Sequence, residues 1–363
     1  MRLAALIGRY RQQIEDRYGA VLLPEQRRAL AAIERCRTPA CGSSIAVCPN
    51  CAATYLHHHS CSHRACPQCQ NHSATAWLER QRQKLLPVRY YLLTFTLPVQ
   101  LRSTAYHHQT AVYEAFFQAA AQTLREVALN PRHLGAEPGI TAVLHTHSRR
   151  LDYHPHLHCL IPGGGFDRKQ RLWRQAPRKC LLPVAVLRIL FREKLLAALR
   201  QAGLHYPPAL HRRHWVVHVR AAGHGLRALQ YLSRYLYRGV ISERNILDDR
   251  DGQITFRYTD AQTQMPRTRT LPAADFLYLL AQHVLPKRFR RVRDYGFLHG
   301  NANSILRRIQ ILLRQPLPER LDTPLPPLRC PACGAAMVFV NPHWLHLTLT
   351  ASRSRAPPTA AVS

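Results

Sequence analysis

Residues 153–165 constrain the possible folds of this chain more than any other segment. They run Tyr-His-Pro-His-Leu-His-Cys-Leu-Ile-Pro-Gly-Gly-Gly, so histidines alternate with other residues ahead of a short apolar stretch and three glycines. In a β-strand, residues i and i+2 project from the same face. We therefore predict a strand at residues 156–161 on which His156 and His158 share one face while Leu157 packs behind them.

A second predicted strand, at residues 140–147, should place more histidines beside this pair. The connection between the two strands is short enough to predict an antiparallel hairpin. A divalent ion needs about three protein ligands to be held well, and we take His145 on the adjacent strand as the third, with His154 as the alternative. An all-histidine set suits Mn²⁺ or Zn²⁺ better than Mg²⁺ by ligand preference, although Mg²⁺ is the abundant ion.

A helix predicted at roughly residues 225–238 carries two tyrosines at helical spacing, Tyr231 and Tyr235. Residues i and i+4 share a helix face, so both phenols can face one site. A phenol has a pKa near 10, and a nearby cation such as Arg234, Arg238 or the metal would make it a better nucleophile. Packing of both tyrosines in the core is the structural alternative. The apolar face of the helix is supplied by Leu229, Leu232 and Leu236.

Two Cys-x-x-Cys pairs, Cys48 with Cys51 and Cys66 with Cys69, have fourteen residues between them. In a large basic chain with an odd number of cysteines, such pairs are typical of metal ligands rather than of a disulfide framework. Four thiolates at this spacing can form a tetrahedral zinc site, which is structural because the protein fills every position. The alternative is reduced thiols in a small loop-rich core.

Other cysteines and histidines offer further zinc ligands. A second site is predicted from Cys36, Cys41, Cys61 and His63. Near the C-terminus, Cys330 and Cys333 supply half a ligand set. They either begin another site with His343 and His346 or remain two thiols in a tail.

The charge of the chain points to a polyanionic partner. Lys and Arg number 51 against 20 Asp and Glu, and the formal net charge is +31. A charge this large makes a compact chain repel itself, and binding to nucleic acid would relieve that repulsion. The alternative is that the chain is a basic scaffold protein. We predict phosphate contacts from Arg234 and from the basic run Lys287, Arg288, Arg290, Arg291 and Arg293. Phe289 and Tyr295 are predicted to stack on unpaired bases.

The pattern of strands with intervening helices predicts an α+β fold with a mostly antiparallel sheet. We predict three parts: a helical and zinc-binding domain at residues 1–85, a catalytic domain at residues 86–315, and a Pro-rich linker with a small Cys-x-x-Cys tail at residues 316–363. The sequence has no run of eighteen apolar residues and no signal-peptide pattern at its N-terminus, so we expect no membrane partner and a reducing cytoplasm.

Several of these motifs, in this order, resemble the rolling-circle transposases of the insertion-sequence-91 family. That family is part of the HUH endonuclease superfamily, named for a His-hydrophobic-His motif. The resemblance extends from about residue 20 to residue 315. The motifs that carry it lie at residues 36–38, 66–70, 154–159, 231–235, 241–242 and 285–298.

The resemblance implies an N-terminal zinc-binding domain and an HUH-type catalytic domain, with a central antiparallel sheet flanked by helices. It implies metal-dependent nicking of single-stranded DNA at the end of a mobile element, a 5′-phosphotyrosine intermediate and strand transfer. His156 and His158 match the metal ligands, and Tyr231 and Tyr235 match the tyrosine motif. With two tyrosines, one can hold the first cleaved end while the other cuts again. One departure is Ala65, where relatives usually show a histidine.

Two alternatives remain beside the transposase hypothesis. A plasmid replication initiator or relaxase would share the same site and chemistry, and genomic surroundings would discriminate it. A non-catalytic, zinc-dependent DNA-binding regulator would bind duplex DNA and nick nothing. All three hypotheses have DNA as the partner, so we expect a bacterial protein associated with the nucleoid. We expect Zn²⁺ as a structural ion in each case. For the two enzymes we also expect Mg²⁺ or Mn²⁺ as the catalytic ion. The oligomeric state is left open.

Overall fold

Helices and strands alternate along the chain in the computed structural model, which describes residues 2–177, 182–237, 240–260, 262–316 and 327–340. The described helices are α1 (Leu3–Tyr18), α2 (Pro24–Arg35), α3 (Asn71–Arg82), α4 (Arg102–His107), α5 (Gln109–Leu129), α6 (Val184–Gln201), α7 (Leu226–Tyr237), α8 (Ala273–Ala281) and α9 (Asn303–Leu312). The described strands are β1 (Ser43–Val47), β2 (Thr54–His58), β3 (Tyr90–Thr96), β4 (Gly139–His147), β5 (Tyr153–Pro162), β6 (Gly164–Asp167), β7 (Leu172–Gln175), β8 (Val217–Ala221), β9 (Ile246–Arg250), β10 (Gln253–Thr259), β11 (Pro266–Pro272), β12 (Val292–Gly296) and β13 (Val338–Val340).

A five-stranded antiparallel sheet, in the order β12-β4-β5-β3-β8, forms the centre of the molecule. The histidine-bearing strand β5 is its middle strand, and β4 and β5 form the predicted hairpin. In that hairpin His145 lies directly opposite His156, and Val143 lies opposite His158. Residues opposite each other on neighbouring strands project from the same face, so the register brings histidines of both strands to one face.

The two faces of this sheet are covered by different helices. One face packs on α5 and α6, where Phe95 and Leu157 meet Phe116 and Phe191. Along α5 the buried residues recur at helical spacing, which gives the helix the apolar stripe that this face requires. The other face, which carries the histidines, packs on α3, α7 and α9, and Leu232 of α7 is fully buried there. Helix α7 therefore covers the histidine-bearing face of the sheet.

A second layer is built on the meander of β9, β10 and β11. Helices α1 and α2 pack with α8 against this meander in one hydrophobic cluster, which also includes Cys36 and Cys66. Tyr18 stacks on Tyr278 with ring centroids 4.0 Å apart, and its hydroxyl donates to Asp275 at 2.9 Å. The N-terminal helices are thus packed directly on the segment that follows α7.

A three-stranded sheet, in the order β13-β1-β2, forms the Cys-rich module. Its strand β13 comes from the C-terminal tail and pairs antiparallel with β1. The tail is described from residue 327, and most of the predicted Pro-rich linker together with His343 and His346 lies outside the described residues. The predicted fold class is confirmed in its architecture: an α+β chain with a central antiparallel sheet flanked by helices and preceded by a small Cys-rich module. Among the described residues, no helix is both long enough and apolar enough to cross a membrane.

Candidate active site and zinc centres

His145, His156 and His158 form a compact cluster on the face of the central sheet that α7 covers. One ligand atom of each lies within 4.8 Å of one ligand atom of the other two. Their ring centroids are separated by 5.3 Å for His145 and His156, 4.5 Å for His145 and His158, and 4.9 Å for His156 and His158. The structure therefore brings together the pair on β5 and the third ligand predicted on β4.

The neighbouring strand β3 and the backbone of β5 orient two of these rings. The hydroxyl of Thr94 is hydrogen-bonded to Nδ1 of His158 at 2.9 Å, because Thr94 lies opposite His158 in the sheet. His156 donates from Nδ1 to the carbonyl oxygen of His154 at 2.7 Å. In both rings Nδ1 is engaged by protein, so Nε2 is the atom left for a metal.

The electrostatics of the cluster suit neutral metal ligands. Burial and the neighbouring imidazoles hold the pKa of His145 well below its usual value. Burial also holds the pKa of His158 well below its usual value, and the neighbouring His156 lowers it further. Burial lowers the pKa of His156 as well. Nε2 of His158 is buried with no hydrogen-bond partner among the described residues, which is costly for a polar atom unless an ion completes it. The donor set therefore fits a divalent transition metal.

His154, the alternative third ligand, lies outside this cluster. Its Nδ1 accepts a hydrogen bond from Arg102, and burial lowers its pKa to about 4. The structure therefore favours His145 over His154 as the third member of the set.

Tyr231 stands over the histidine cluster. It lies on α7, and its ring centroid is 6.0 Å from that of His158 and 6.3 Å from that of His145. Leu229, Leu232 and Leu236 form the buried face of the helix, as their spacing predicts. The same packing that buries these leucines fixes Tyr231 beside the three clustered histidines. The side chains of Tyr235 and Arg234, and all of Arg238, lie outside the described residues.

A cleft of about 480 Å³ opens beside Tyr231. It continues from His147 at the end of β4 to the meander, where Phe256 and Arg257 line it, and it also includes Arg149. Arg257 and Arg149 are exposed, so the cleft is accessible and basic. Arg149, Phe256 and Arg257 were not singled out from the sequence, because only the packing of the meander beside α7 brings them to the site.

A larger cavity of about 1130 Å³ separates the Cys-rich module from the other side of α7. Three exposed arginines line it, Arg2, Arg37 and Arg244, and α7 contributes Gln230 and Ser233. Helix α7 therefore borders a cavity on each side, and exposed arginines line both cavities.

The basic run after α8 is divided by the structure between surface and interior. Lys287, Arg288 and Arg290 are exposed, in keeping with phosphate contacts. Arg291 is half-buried and donates to the carbonyl oxygen of Leu236 at the end of α7. Thus only part of the run faces solvent.

Two predictions for this segment are wrong. Arg293 is not a free phosphate contact, because its guanidinium is paired with Glu114 and lies 4.3 Å from the ring centroid of Phe117. Phe289 is 7% exposed and packs against Tyr113 and Phe117, so it has no free face for a base.

Tyr295 is also tied to this interior packing. It lies on the edge strand β12, half-buried against the core. Burial raises the pKa of its phenol to about 12. Charged and aromatic residues alternate in this segment because it leads into an edge strand that packs on the core. The same alternation is typical of a surface that binds nucleic acid, so the sequence alone does not separate the two.

One complete cysteine set lies at the junction of the Cys-rich module and the helices. The sulfurs of Cys36, Cys61, Cys66 and Cys69 all lie within 4.8 Å of one another. The separation of the Cys61 and Cys69 sulfurs is 3.8 Å, and a tetrahedral zinc with Zn–S bonds of about 2.3 Å requires about 3.8 Å. The set therefore fits a structural zinc ion.

The predicted quartet of Cys48, Cys51, Cys66 and Cys69 is wrong. Cys48 and Cys51 lie at the tip of the β1–β2 hairpin, whereas Cys66 and Cys69 lie beyond its open end. Five-residue strands separate these ends by roughly 15 Å, which no single ion can bridge. The spacing of two knuckles along a chain does not reveal that a hairpin holds them apart.

The predicted second set is right in two of its members and wrong in the others. Cys36 and Cys61 belong to the quartet just described, but His63 does not, and its Nδ1 accepts from the backbone N–H of Ala65 at 3.2 Å. Cys41 also lies outside, with its thiol donating to the carbonyl oxygen of Arg35. Four cysteines complete the set, so the absence of a histidine at position 65 leaves no vacancy.

Cys48 and Cys51 instead meet the two cysteines of the tail. The sulfurs of Cys48, Cys51, Cys330 and Cys333 lie within 4.8 Å of one another. The proposed partners His343 and His346 lie outside the described residues, and the tail pair faces the hairpin tip without them.

Two family models match the chain. Residues 6–97 match a family described as "Transposase zinc-binding domain", and residues 139–305 match one described as "Putative transposase". The first segment contains the complete cysteine quartet, and the second contains all three clustered histidines and Tyr231.

Two curated proteins match along most of their length. A protein of Sinorhizobium fredii described as "Putative transposase y4qJ" is 37% identical over 325 residues, which cover 83% of this chain and 81% of that protein. The transposase for insertion sequence element IS801 of Pseudomonas savastanoi pv. phaseolicola is 29% identical over 342 residues, with the same two coverages of 83% and 81%.

Among solved structures, the conjugative relaxase TrwC in its metal-free complex with oriT DNA is 15% identical over 61% of this chain and 72% of its own, with a TM-score of 0.28. A likeness at that score carries no weight for the fold or the reaction.

Proposed function

The chain belongs to the transposases of the insertion-sequence-91 family and is a DNA transposase, and we propose that it nicks single-stranded DNA at the end of its element by tyrosine transesterification. In this proposal Tyr231 is the nucleophile of the first cut, and His145, His156 and His158 hold a divalent ion. The cut strand is then transferred into a target during rolling-circle transposition.

The position of Tyr231 carries this proposal. Its ring lies within 6.3 Å of two histidine rings of a three-histidine cluster, and it also lines an open cleft. A tyrosine packed only for stability would not need access to a basic cleft. The arrangement supports a phenol that meets a phosphodiester beside a metal site.

The proposed reaction exchanges one phosphodiester for another. The phenol oxygen of Tyr231 attacks the phosphorus, and the bond from phosphorus to the 3′ oxygen breaks. The phenol loses its proton as it attacks, and the leaving 3′ oxygen gains a proton to become a hydroxyl, so the number of protons does not change. The 5′ end stays linked to the tyrosine, so the energy of the bond is kept for rejoining, and Tyr235 would serve a second cut.

Mg²⁺ or Mn²⁺, when bound to the three histidines, would act as a Lewis acid on the scissile phosphate and orient it. The chain contributes the orientation of its ligands. The hydroxyl of Thr94 and the carbonyl of His154 engage Nδ1 of two imidazole rings, which leaves the Nε2 atoms of those rings for the ion.

The partner in this proposal is element-end DNA in single-stranded form. The cleft beside Tyr231 exposes Arg149 and Arg257 and is lined by Phe256, although Phe256 itself is buried. Exposed Lys287, Arg288 and Arg290 add positive charge to the surface. We place the protein at the bacterial nucleoid, where its substrate is found.

We expect Tyr231→Phe to abolish the covalent adduct between the protein and DNA. The purified chain is incubated with labelled single-stranded DNA from either flank of its gene and Mn²⁺, and the products are separated under denaturing conditions. Tyr258→Phe is the matched control, because Tyr258 follows Arg257 on β10 but packs in the cluster with α1, α2 and α8 and is not one of the residues that line the cleft. The control should keep the adduct.

Circular dichroism and DNA binding should be unchanged in Tyr231→Phe, since the ring remains. An adduct that survives in Tyr231→Phe and disappears in Tyr235→Phe would reassign the first nucleophile. If neither change affects cleavage, the tyrosine mechanism is wrong. A replication initiator would give the same products, but its substrate would be an origin of replication rather than an element end.

A further inference from the structure

Two segments far apart in the sequence have the same backbone fold. In the knuckle at residues 48–53, the N–H of Cys48 donates to the carbonyl of Ala53, and the N–H of Ala52 donates to the carbonyl of Cys48. In the knuckle at residues 330–335, the N–H of Cys330 donates to Ala335, and that of Gly334 donates to Cys330. These bonds have the same spacing, from i to i+5 and from i+4 to i, in both knuckles.

The two knuckles also share a sequence pattern and a turn residue of positive φ. Each begins Cys-Pro-x-Cys, and each places a residue of positive φ directly after its second cysteine, Ala52 at 57° and Gly334 at 74°. A non-glycine residue at positive φ is uncommon and indicates that the surrounding structure demands the turn. A turn of this kind projects both thiols of a Cys-x-x-Cys pair to one side.

The thiols of the two knuckles converge on one point. The sulfurs of Cys48 and Cys333 are 3.5 Å apart, and those of Cys51 and Cys330 are 3.6 Å apart. A disulfide needs about 2.05 Å between sulfurs, whereas a tetrahedral zinc with four thiolates needs about 3.8 Å. The observed separations are close to the requirement of zinc and far from that of a disulfide.

Strand pairing and a small core hold the knuckles in this position. Strand β13 runs antiparallel to β1, with Val338 opposite Val47 and Val340 opposite Ile45. Beneath the sulfurs, Ala46 and Met337 are buried in one cluster with Cys48 and Cys330. The contact between the two ends of the chain is therefore specific in register as well as in its thiols.

We propose that Cys48, Cys51, Cys330 and Cys333 bind a second structural zinc ion, and that the C-terminal tail thereby completes the N-terminal module. Cys330 and Cys333 lie far beyond residues 6–97, the segment that matches the zinc-binding family. The N-terminal domain by itself thus contains one complete zinc site and half of another. Each chain holds two zinc ions, and the ion at the hairpin tip joins the first and last described segments of the chain.

Native mass spectrometry of the full chain tests the proposal by counting zinc. We expect the wild-type chain to hold one zinc ion more than the double variant Cys330→Ser with Cys333→Ser, whichever metal occupies the three histidines. Cys41→Ser is the matched control, because Cys41 belongs to neither quartet, and it should hold as many zinc ions as the wild-type chain. Equal zinc counts in the wild-type chain and the double variant would overturn the proposal.

A second measurement on the wild-type chain needs no variant and does not depend on the folding of one. The chain is treated with a thiol-alkylating reagent before and after zinc chelation, and each cysteine peptide is quantified. Cys330 and Cys333 should be protected while zinc is bound and should become reactive together with Cys48 and Cys51. Early alkylation of the tail pair with zinc still bound, or a disulfide in its peptide, contradicts the shared site. Neither measurement uses DNA cleavage, so its result is independent of the proposed reaction.

Discussion

A hydrogen bond to Nδ1 determines which nitrogen of a histidine ring is left for a metal. His156 meets this requirement within its own strand, through the carbonyl of His154. His158 depends on another strand, through the hydroxyl of Thr94. Spacing along the chain predicts that His156 and His158 share a face, but it says nothing of Thr94, which becomes their neighbour only when β3 pairs with β5.

We expect Thr94→Val to weaken binding of Mn²⁺ about 10–100-fold, the usual cost of removing a residue that orients a metal-bound histidine. Valine has nearly the shape of threonine but lacks the hydroxyl, so the strand should keep its packing. Titration of the metal into the full chain by calorimetry measures the change. Thr96→Val, which alters the residue opposite His156, is the control and should bind metal normally. Equal weakening in both variants would assign the effect to the strand rather than to the hydroxyl.

Phe289 shows where reasoning from residue types failed. An aromatic residue within a run of arginines is typical of a surface that binds unpaired bases. Here the backbone turns at Arg288, with a φ of 64°, and Phe289 enters the core. A count of five positive charges in seven residues could not reveal this turn. It also could not reveal that Arg293 is paired with Glu114.

At the scale of elements, α7 links the stability of the fold to the proposed chemistry. Its leucines recur at positions 229, 232 and 236, so one face is buried against the sheet. This spacing predicts the helix and its apolar face from the sequence alone. The distance between Tyr231 and the histidines depends on how α7 packs against the sheet, and no local sequence pattern determines that packing.

We expect Leu232→Ala to reduce the free energy of unfolding by about 2–5 kcal/mol, because a fully buried leucine is replaced by a cavity. Chemical denaturation measures this change. Leu226→Ala at the exposed start of the same helix is the matched control and should cost clearly less. In the folded Leu232→Ala chain we also expect a lower yield of DNA adduct. A normal yield in spite of the lost stability would show that the seating of α7 does not position Tyr231.

The β1–β2 hairpin explains why the zinc ligands could be identified from the sequence but not grouped. Cysteine pairs identify zinc ligands because few other roles require four thiols at such spacing. Which pairs share an ion depends on the third dimension. The hairpin holds Cys48 and Cys51 away from Cys66, and the tail that meets them lies far along the chain, after α9.

At the scale of the whole molecule, the Cys-rich module is connected to the segment that follows α7. Oε1 of Glu243 accepts from the backbone N–H of Leu3 at 2.9 Å and from Nε2 of Gln68 at 3.1 Å. Ile241, which lines the cleft beside Tyr231, packs in the same cluster as Cys36 and Cys66. We infer that the zinc module supports the wall of the proposed active site, which is one reason for a structural metal in this enzyme.

The net charge of +31 makes a prediction for the molecule as a whole. If about 6–10 phosphates are contacted, the affinity for DNA should fall about 10³–10⁵-fold between 50 and 200 mM salt. Fluorescence anisotropy with labelled single-stranded DNA measures the slope. Replacing Lys287, Arg288 and Arg290 with Gln should make the slope shallower, since these exposed cations are proposed phosphate contacts.

The control for this prediction removes the same charge elsewhere. Arg307, Arg308 and Arg314 are exposed on and after α9, and their replacement with Gln should leave the slope nearer to that of the wild-type chain. Equal slopes in the two triple variants would mean that only the total charge matters and that the basic run has no special role.

The most direct test of the central claim is to identify the amino acid that is linked to DNA. The wild-type chain is reacted with single-stranded element-end DNA and Mn²⁺, the adduct is digested with nuclease and protease, and the modified peptide is sequenced by mass spectrometry. We predict a nucleotide 5′-phosphate on the phenol oxygen of Tyr231 in the peptide from α7. Cleaved DNA without any modified tyrosine would contradict the account, because water rather than a phenol would then be the nucleophile at the histidine site.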